Sequence, residues 1–279
     1  MKNFTIQPLL KINGVSSASG ISYSDGTIRL ISDESNYLYE HNISENKTSR
    51  ILLLDGAQTE QIIKAEKLDL ESLTERDGLV YTFGSGSTPI RETGFSVNSK
   101  NQEVNSITLH HLYASMRTVA KIEQEDFNIE SVTHDDKDWI FLNRGNGPGN
   151  RNVLIKVHGA SLETNFQLSF TEFELPQMKD LPFGFSDATV VKNHLYFIAT
   201  AEAGTSTYHD GEVGGSMIGI INLDNMKIEF TELISDHQKF EGITFYQQES
   251  DNNISFLLCE DNDDYILEST IFQINLHLK

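Results

Sequence analysis

Four acidic side chains stand at matching places in a phrase that the chain repeats, and such a set can do electrostatic chemistry if the fold gathers it. Glu71 lies in Asp69-Leu70-Glu71-Ser72-Leu73-Thr74, Glu130 in Asn128-Ile129-Glu130-Ser131-Val132-Thr133, Asp187 in Phe185-Ser186-Asp187-Ala188-Thr189-Val190 and Glu241 in Lys239-Phe240-Glu241-Gly242-Ile243-Thr244. A fifth version, Ser17-Ala18-Ser19-Gly20-Ile21-Ser22, has Ser19 at that place, so the set is not five-fold in charge. Converging carboxylates repel one another and are relieved by protonation, by basic partners or by a bound cation. Calcium takes about six to eight oxygen ligands at flexible geometry, whereas zinc prefers imidazole and thiolate. Glu71, Glu130, Asp187 and Glu241 are therefore candidate ligands of a divalent cation, with calcium the expected ion by ligand hardness. The alternative is that each acid accepts hydrogen bonds from the backbone of a neighbouring unit, since buried backbone groups must be paired.

Arg91 and Arg144 occupy comparable places in two successive units. Beside an acidic floor, a guanidinium either grips an anionic group of a substrate in bidentate fashion or neutralises the floor itself. Glu202 and Asp210 fall in the longest polar loop, residues 200–216, and join the two arginines as candidate substrate-binding residues. His209-Asp210 has the order of a general base and its orienter, but no serine or cysteine nucleophile is marked by spacing, so no catalytic triad is read. Gly84-Ser85-Gly86-Ser87 and Gly145-Asn146-Gly147 follow neither the P-loop nor the dinucleotide fingerprint and read as tight loops. Glu260-Asp261-Asn262-Asp263-Asp264 lacks the glycine and distal glutamate of an EF-hand loop and reads as solvated, with Glu260 and Asp261 on the side of the acids.

Spacing shows what must position these residues. Aligning Ser19, Glu71, Glu130, Asp187 and Glu241 gives intervals of 52, 59, 57 and 54 residues, and 57 more lead from Glu241 through the chain end round to Ser19. A regular array whose last unit is split between the termini is what a closed ring needs. Each phrase is followed by a turn, a compact apolar strand, a polar loop and further strands; Asp25-Gly26 and Asp77-Gly78 are strong hairpin signals. The sequence thus predicts an all-β fold, a five-bladed β-propeller with blades starting near residues 19, 71, 130, 187 and 241. The fifth blade takes its third strand from about residues 270–274 and its fourth from residues 4–12, which closes the ring and removes exposed edges. Leu109, Leu112, Met116 and Val119 recur at helical spacing and predict one short helix covering a blade edge. In such a ring the first strands line the channel, so the four acids meet at one mouth, walled by the loops that carry Arg91 and Arg144.

Residues 1–279 make a single domain, because the repeat leaves no stretch for a second core. The formal net charge of −20 disfavours nucleic acid and anionic membranes as partners. The lone Cys259 forbids an internal disulfide. Residues 1–8 lack an apolar leader core and no run reaches the length of a membrane span, so the expectation is a soluble, cytoplasmic protein with a small molecule as partner in the funnel.

The chain resembles the bacterial propellers grouped as phytase-like, or "esterase-like activity of phytase", and an uncharacterised family close to them. The resemblance rests on Glu71-Ser72-Leu73, Glu130-Ser131-Val132, Ser186-Asp187-Ala188 and Glu241-Gly242-Ile243, with Gly84-Ser85-Gly86-Ser87-Thr88-Pro89 and Asn143-Arg144-Gly145 as more distinctive marks. It implies calcium at the inner mouth on Glu71, Glu130, Asp187 and Glu241. The lysine-rich phosphate surface of a phytase is missing. Three functions are consistent with these residues: a calcium-dependent hydrolase of a small ester, lactone or phosphoester; a non-catalytic ligand- or protein-binding propeller; and a glycosidase using paired carboxylates.

Overall fold

The computed structural model describes residues 4–56, 58–159, 161–203, 213–250, 252–261 and 267–278. The first strand, β1 (Phe4–Asn13), belongs to the last blade. Blade one is β2 (Ala18–Ser24), β3 (Thr27–Ser32), β4 (Tyr37–Asn42) and β5 (Lys47–Leu52), and blade two is β6 (Leu70–Arg76), β7 (Leu79–Gly84), β8 (Thr93–Asn98) and β9 (Glu103–Thr108). After helix α1 (His110–Ala120), blade three is β10 (Ile129–His134), β11 (Trp139–Asn143), β12 (Asn152–His158) and β13 (Gln167–Phe173). A two-residue strand, β14 (Gln177–Met178), opens blade four, followed by β15 (Leu181–Val191), β16 (His194–Glu202), β17 (Val213–Asn222) and β18 (Lys227–Ser235). Blade five is β19 (Phe240–Ser250), β20 (Asn253–Glu260) and β21 (Glu268–His277), completed by β1. The ring closes as the sequence predicts, with Phe4 opposite Leu276 and Asn13 opposite Glu268.

Apolar clusters fill each junction between neighbouring blades; Phe83, Trp139 and Phe141 pack between blades two and three, and Phe185, Phe197 and Leu142 between three and four. The strands β2, β6, β10, β15 and β19 contact one another in succession round the axis. Helix α1 lies against blade three and buries Leu112, Tyr113, Met116 and Ala120. Val119, counted in its apolar stripe from the sequence, is 41% exposed; Tyr113 fills the face instead and donates to the Gly84 carbonyl at 2.7 Å.

All five inner strands bulge at the same place. The register skips Ser19, Glu71, Glu130, Ser186 and Glu241, each of which stands opposite no partner. A bulge re-aims a side chain and sharpens the local twist. The register also corrects the alignment in blade four: the residue equivalent to Glu71 is Ser186, and Asp187 lies one position further on, with Gly20, Ser72, Ser131 and Gly242. That second position fastens neighbouring blades. The N–H of Val132 donates to Ser72 Oγ (2.5 Å), that of Ala188 to Ser131 Oγ (2.9 Å) and that of Ile243 to Asp187 Oδ2 (2.8 Å). At the junction of blades five and one, Gly242 leaves room for the backbone instead; a Cβ there would lie 2.5 Å from Cys259 Sγ and 3.0 Å from Ile21 N.

Candidate functional site

Side chains alternate along a strand, so the residues two before each bulge share its side of the sheet. They are Ser17, Asp69, Asn128, Gly184 and Lys239. Asp33, Ser85, Arg144 and Asp261, each just past the paired end of its second strand, arrive beside them, as does Thr200, which pairs with Gly184 inside the longer β16. Three backbone bonds fix this apposition, from the N–H of Ser85 to Asp69 O (3.0 Å), of Arg144 to Asn128 O (2.8 Å) and of Asp261 to Lys239 O (3.0 Å). One mouth of the channel is thereby lined by groups that no blade supplies alone.

The charges pair in two arcs. On the side of blades one and two, Lys67 Nζ bonds Asp33 and lies 3.4 Å from Asp69, while Arg91 Nη1 donates to Asp69 at 2.7 Å and to Ser87 Oγ at 2.9 Å. Asp69 is held at φ 56°, a left-handed conformation that costs a non-glycine residue about 1 kcal/mol, and Ser85 Oγ also donates to it at 2.6 Å. On the side of blades three to five, Arg144 meets Glu202 (2.6 Å), Glu130 (3.4 Å) and Glu241 (3.8 Å), and Lys239 meets Glu241 (2.9 Å) and Asp261 (3.1 Å). Both arginines named from the sequence therefore lie against carboxylates of the floor. Glu71 has no ion pair or hydrogen bond with a described residue.

The described residues at this mouth include seven carboxylates (Asp33, Asp69, Glu71, Glu130, Glu202, Glu241 and Asp261) and four cations (Lys67, Arg91, Arg144 and Lys239). The titrations register the excess. Burial, followed by the charges of Glu130, Asp69, Asp33 and Glu241, pushes Glu71 well above the ordinary carboxyl range. Burial raises Glu241 to about 8 against the opposing pull of Lys239, and raises Asp33 to about 6 against that of Lys67. Glu130 is raised by burial in spite of Arg144. Asp187 is raised to about 8 by burial, although hydrogen bonds from Ile243, Ser131 and Ala188 oppose the shift. Lys67, Lys239 and Arg144 are raised as well, here because the carboxylates around them outweigh the cost of burial and hold each proton more tightly.

Of the four acids expected as cation ligands, the structure brings Glu71, Glu130 and Glu241 to the mouth and places Asp187 between blades, accepting from Ile243 N–H and from Ser131 Oγ (2.8 Å). Among the described residues, Asp33, Asp69 and Glu71 bring one carboxylate oxygen each within 4.8 Å of one another. Sequence reading did not assign Asp33, Asp69, Lys67 or Lys239 to the site. Period-two counting back from Glu71 and Glu241 reaches Asp69 and Lys239; nothing in the repeat reaches Lys67. Glu202, at the end of β16, lies on Arg144, whereas Asp210 lies outside the described residues. No helix among the described residues is long and apolar enough to cross a membrane.

The fold and this mouth define a five-bladed β-propeller with a buried, carboxylate-rich channel entrance. The chain belongs to a family of unknown function, DUF6929, whose profile matches residues 14–276. Among solved structures it is similar to a luciferin-regenerating enzyme (9% identity, TM-score 0.51, covering 97% of this chain and 95% of that one). It is also similar to the glutaminyl cyclase of Myxococcus xanthus (7%, 0.56, 98% and 97%) and to the major Malassezia sympodialis allergen Mala s 1 (11%, 0.57, 95% and 95%). At these identities the likeness is one of fold. No functionally curated protein matches the chain.

Proposed function

We propose that the channel mouth binds a divalent cation, calcium by ligand hardness, and that the protein is a hydrolase acting there on a small ester, lactone or phosphoester. The observation that carries this reading is Glu71, a carboxylate with no ion pair to a described residue, one oxygen of which lies within 4.8 Å of one oxygen each of Asp33 and Asp69. An all-oxygen donor set suits calcium, and an added positive charge relieves the repulsion that raises Glu71. Lys67 competes for Asp33 and Asp69, so Glu71 is the ligand that decides occupancy. Glu130 and Glu241, held by Arg144 and Lys239, border this arc. A bound cation would polarise the reacting oxygen and acidify a water. The phytase-like resemblance supports hydrolysis, and two of the similar structures are named as enzymes.

A second reading is a non-catalytic binding propeller. The ion pairs on Asp33, Asp69, Glu130 and Glu241 favour it, because they balance much of the floor without any metal.

Calcium titration by calorimetry, with elemental analysis, is the test. A one-site heat that disappears in Glu71→Gln is expected, followed by chelator-sensitive hydrolysis in a panel of esters, lactones and phosphoesters. Absence of metal and of calcium heat in the wild type would reject the cation and leave the binding reading.

A further inference from the structure

Beside the ion-paired floor lies a small cleft of about 190 Å³ whose wall includes Arg144, Glu202, Asn146, Asn150, Pro182 and Gly184. Arg144 is 3% exposed, and its Nε is a buried donor with no hydrogen-bond partner among the described residues. A buried unpaired donor costs about 1–3 kcal/mol, so a group that completes it is worth looking for. Gly184 leaves the space on that side: a Cβ there would lie 2.7 Å from Arg144 Cγ and 3.4 Å from Nε.

The charge around the guanidinium restricts what can complete it. Three carboxylates, Glu130, Glu202 and Glu241, already face Arg144. An incoming anion would meet all three, whereas a neutral hydroxyl or ring oxygen can accept from Nε without that repulsion. The rest of the wall offers the matching groups. Glu202 presents acceptor oxygens. Asn146 accepts from Asn128 Nδ2 through its Oδ1 (3.3 Å), leaving its own amide protons to donate, and the exposed Asn150 side chain makes no hydrogen bond to a described residue. Pro182 and Gly184 add C–H surface between these polar groups. The volume holds about six waters' worth of liquid and falls below the roughly 300 Å³ at which drug-sized pockets begin, so it admits one small ring.

We propose that this cleft is the recognition subsite for a neutral, polyhydroxylated ring, a monosaccharide or a polyol of that size, with Arg144 Nε as donor to one oxygen and Glu202 as acceptor from a neighbouring hydroxyl. This deepens the funnel reading above by naming the class of molecule bound there. Binding needs no cation.

The test is ligand-observed NMR titration in chelator with D-glucose and D-xylose, against D-glucuronate and D-glucosamine as the anionic and cationic forms of the same ring. Saturable millimolar binding of a neutral sugar is expected, with glucuronate at least tenfold weaker. Glu202→Gln and Gly184→Ala should each weaken it at least tenfold, the first by removing the charged acceptor and the second by displacing the guanidinium. Should Gly184→Ala fail to fold, Asn150→Ala at an exposed site is the substitute, with an expected loss of twofold or more. Glucuronate binding as tightly as glucose, no saturation by any neutral sugar up to about 100 mM, or unchanged affinity in folded Glu202→Gln would each overturn the proposal. Because the titration is run in chelator, those results bear on this subsite alone, and a missing calcium heat bears on the cation alone.

Discussion

Replacing Asp187 by asparagine is expected to stabilise the protein most at alkaline pH, with the gain shrinking as pH falls toward 4. The carboxyl is 2% exposed and its pKa rises from 3.8 to about 8, chiefly because burial penalises the ion. The folded state therefore holds a proton that the unfolded chain has released throughout the window between those values. A group of this kind supports folding most below pH about 4 and loses that contribution as pH climbs to about 8. At 1.36 kcal/mol per unit, the full difference has an upper bound of about 6 kcal/mol. Asparagine has no such titration, and its amide can keep both contacts, accepting from Ile243 N–H and donating to Ser131 Oγ. Urea unfolding in chelator at pH 5 and pH 8.5 reads the effect. Wild type should lose stability between the two, and Asp187→Asn should lose less and exceed wild type at pH 8.5 by at least about 1 kcal/mol. Asp187→Ala, which orphans two buried donors, should be weaker at both pH values by about 2–5 kcal/mol. A wild type whose stability does not fall between pH 5 and 8.5, or an Asp187→Asn variant weaker than wild type at pH 8.5, would refute this account of the buried carboxyl.

Glu71→Gln should likewise raise the alkaline urea midpoint of the metal-free protein, because the folded carboxyl titrates well above its ordinary range; a lowered midpoint would show that its charge is compensated. Ser72→Ala removes the acceptor of Val132 N–H and should cost about 1–3 kcal/mol in urea unfolding at every pH, with no change in calcium heat. Gly242→Ala places a Cβ 2.5 Å from Cys259 Sγ and 3.0 Å from Ile21 N and should cost about 1–3 kcal/mol; a thermal midpoint equal to wild type would show that the last junction is loose. Deleting residues 1–13 strips β1 from β21 along its whole length, and loss of the cooperative thermal transition is the expected result.

The ring was legible because its unit recurs five times and the Asp-Gly turns punctuate it, so neither blade number nor closure by residues 4–12 needed contacts to be known. The site was legible only to the extent that it follows the repeat. Glu71, Glu130 and Glu241 are bulge residues and fell into one column. In blade four the column slipped by one, because Asp187 matched the others in charge while the unpaired position belongs to Ser186. Charge similarity and register disagreed there, and backbone pairing decides the register. The cations were harder to see. Arg91 and Arg144 follow second strands and attracted notice, but Lys239 requires counting two residues back along its strand, and Lys67 lies before β6 in a connection that the repeat does not describe. That omission changes the electrostatic conclusion. Four acids at a mouth call for a metal, whereas seven acids against four buried cations leave a divided floor, with Asp33, Asp69 and Lys67 in one arc and Arg144 and Lys239 in the other. Glu71 is left without a described partner between them, so it is where a proton or an added cation would have the largest effect.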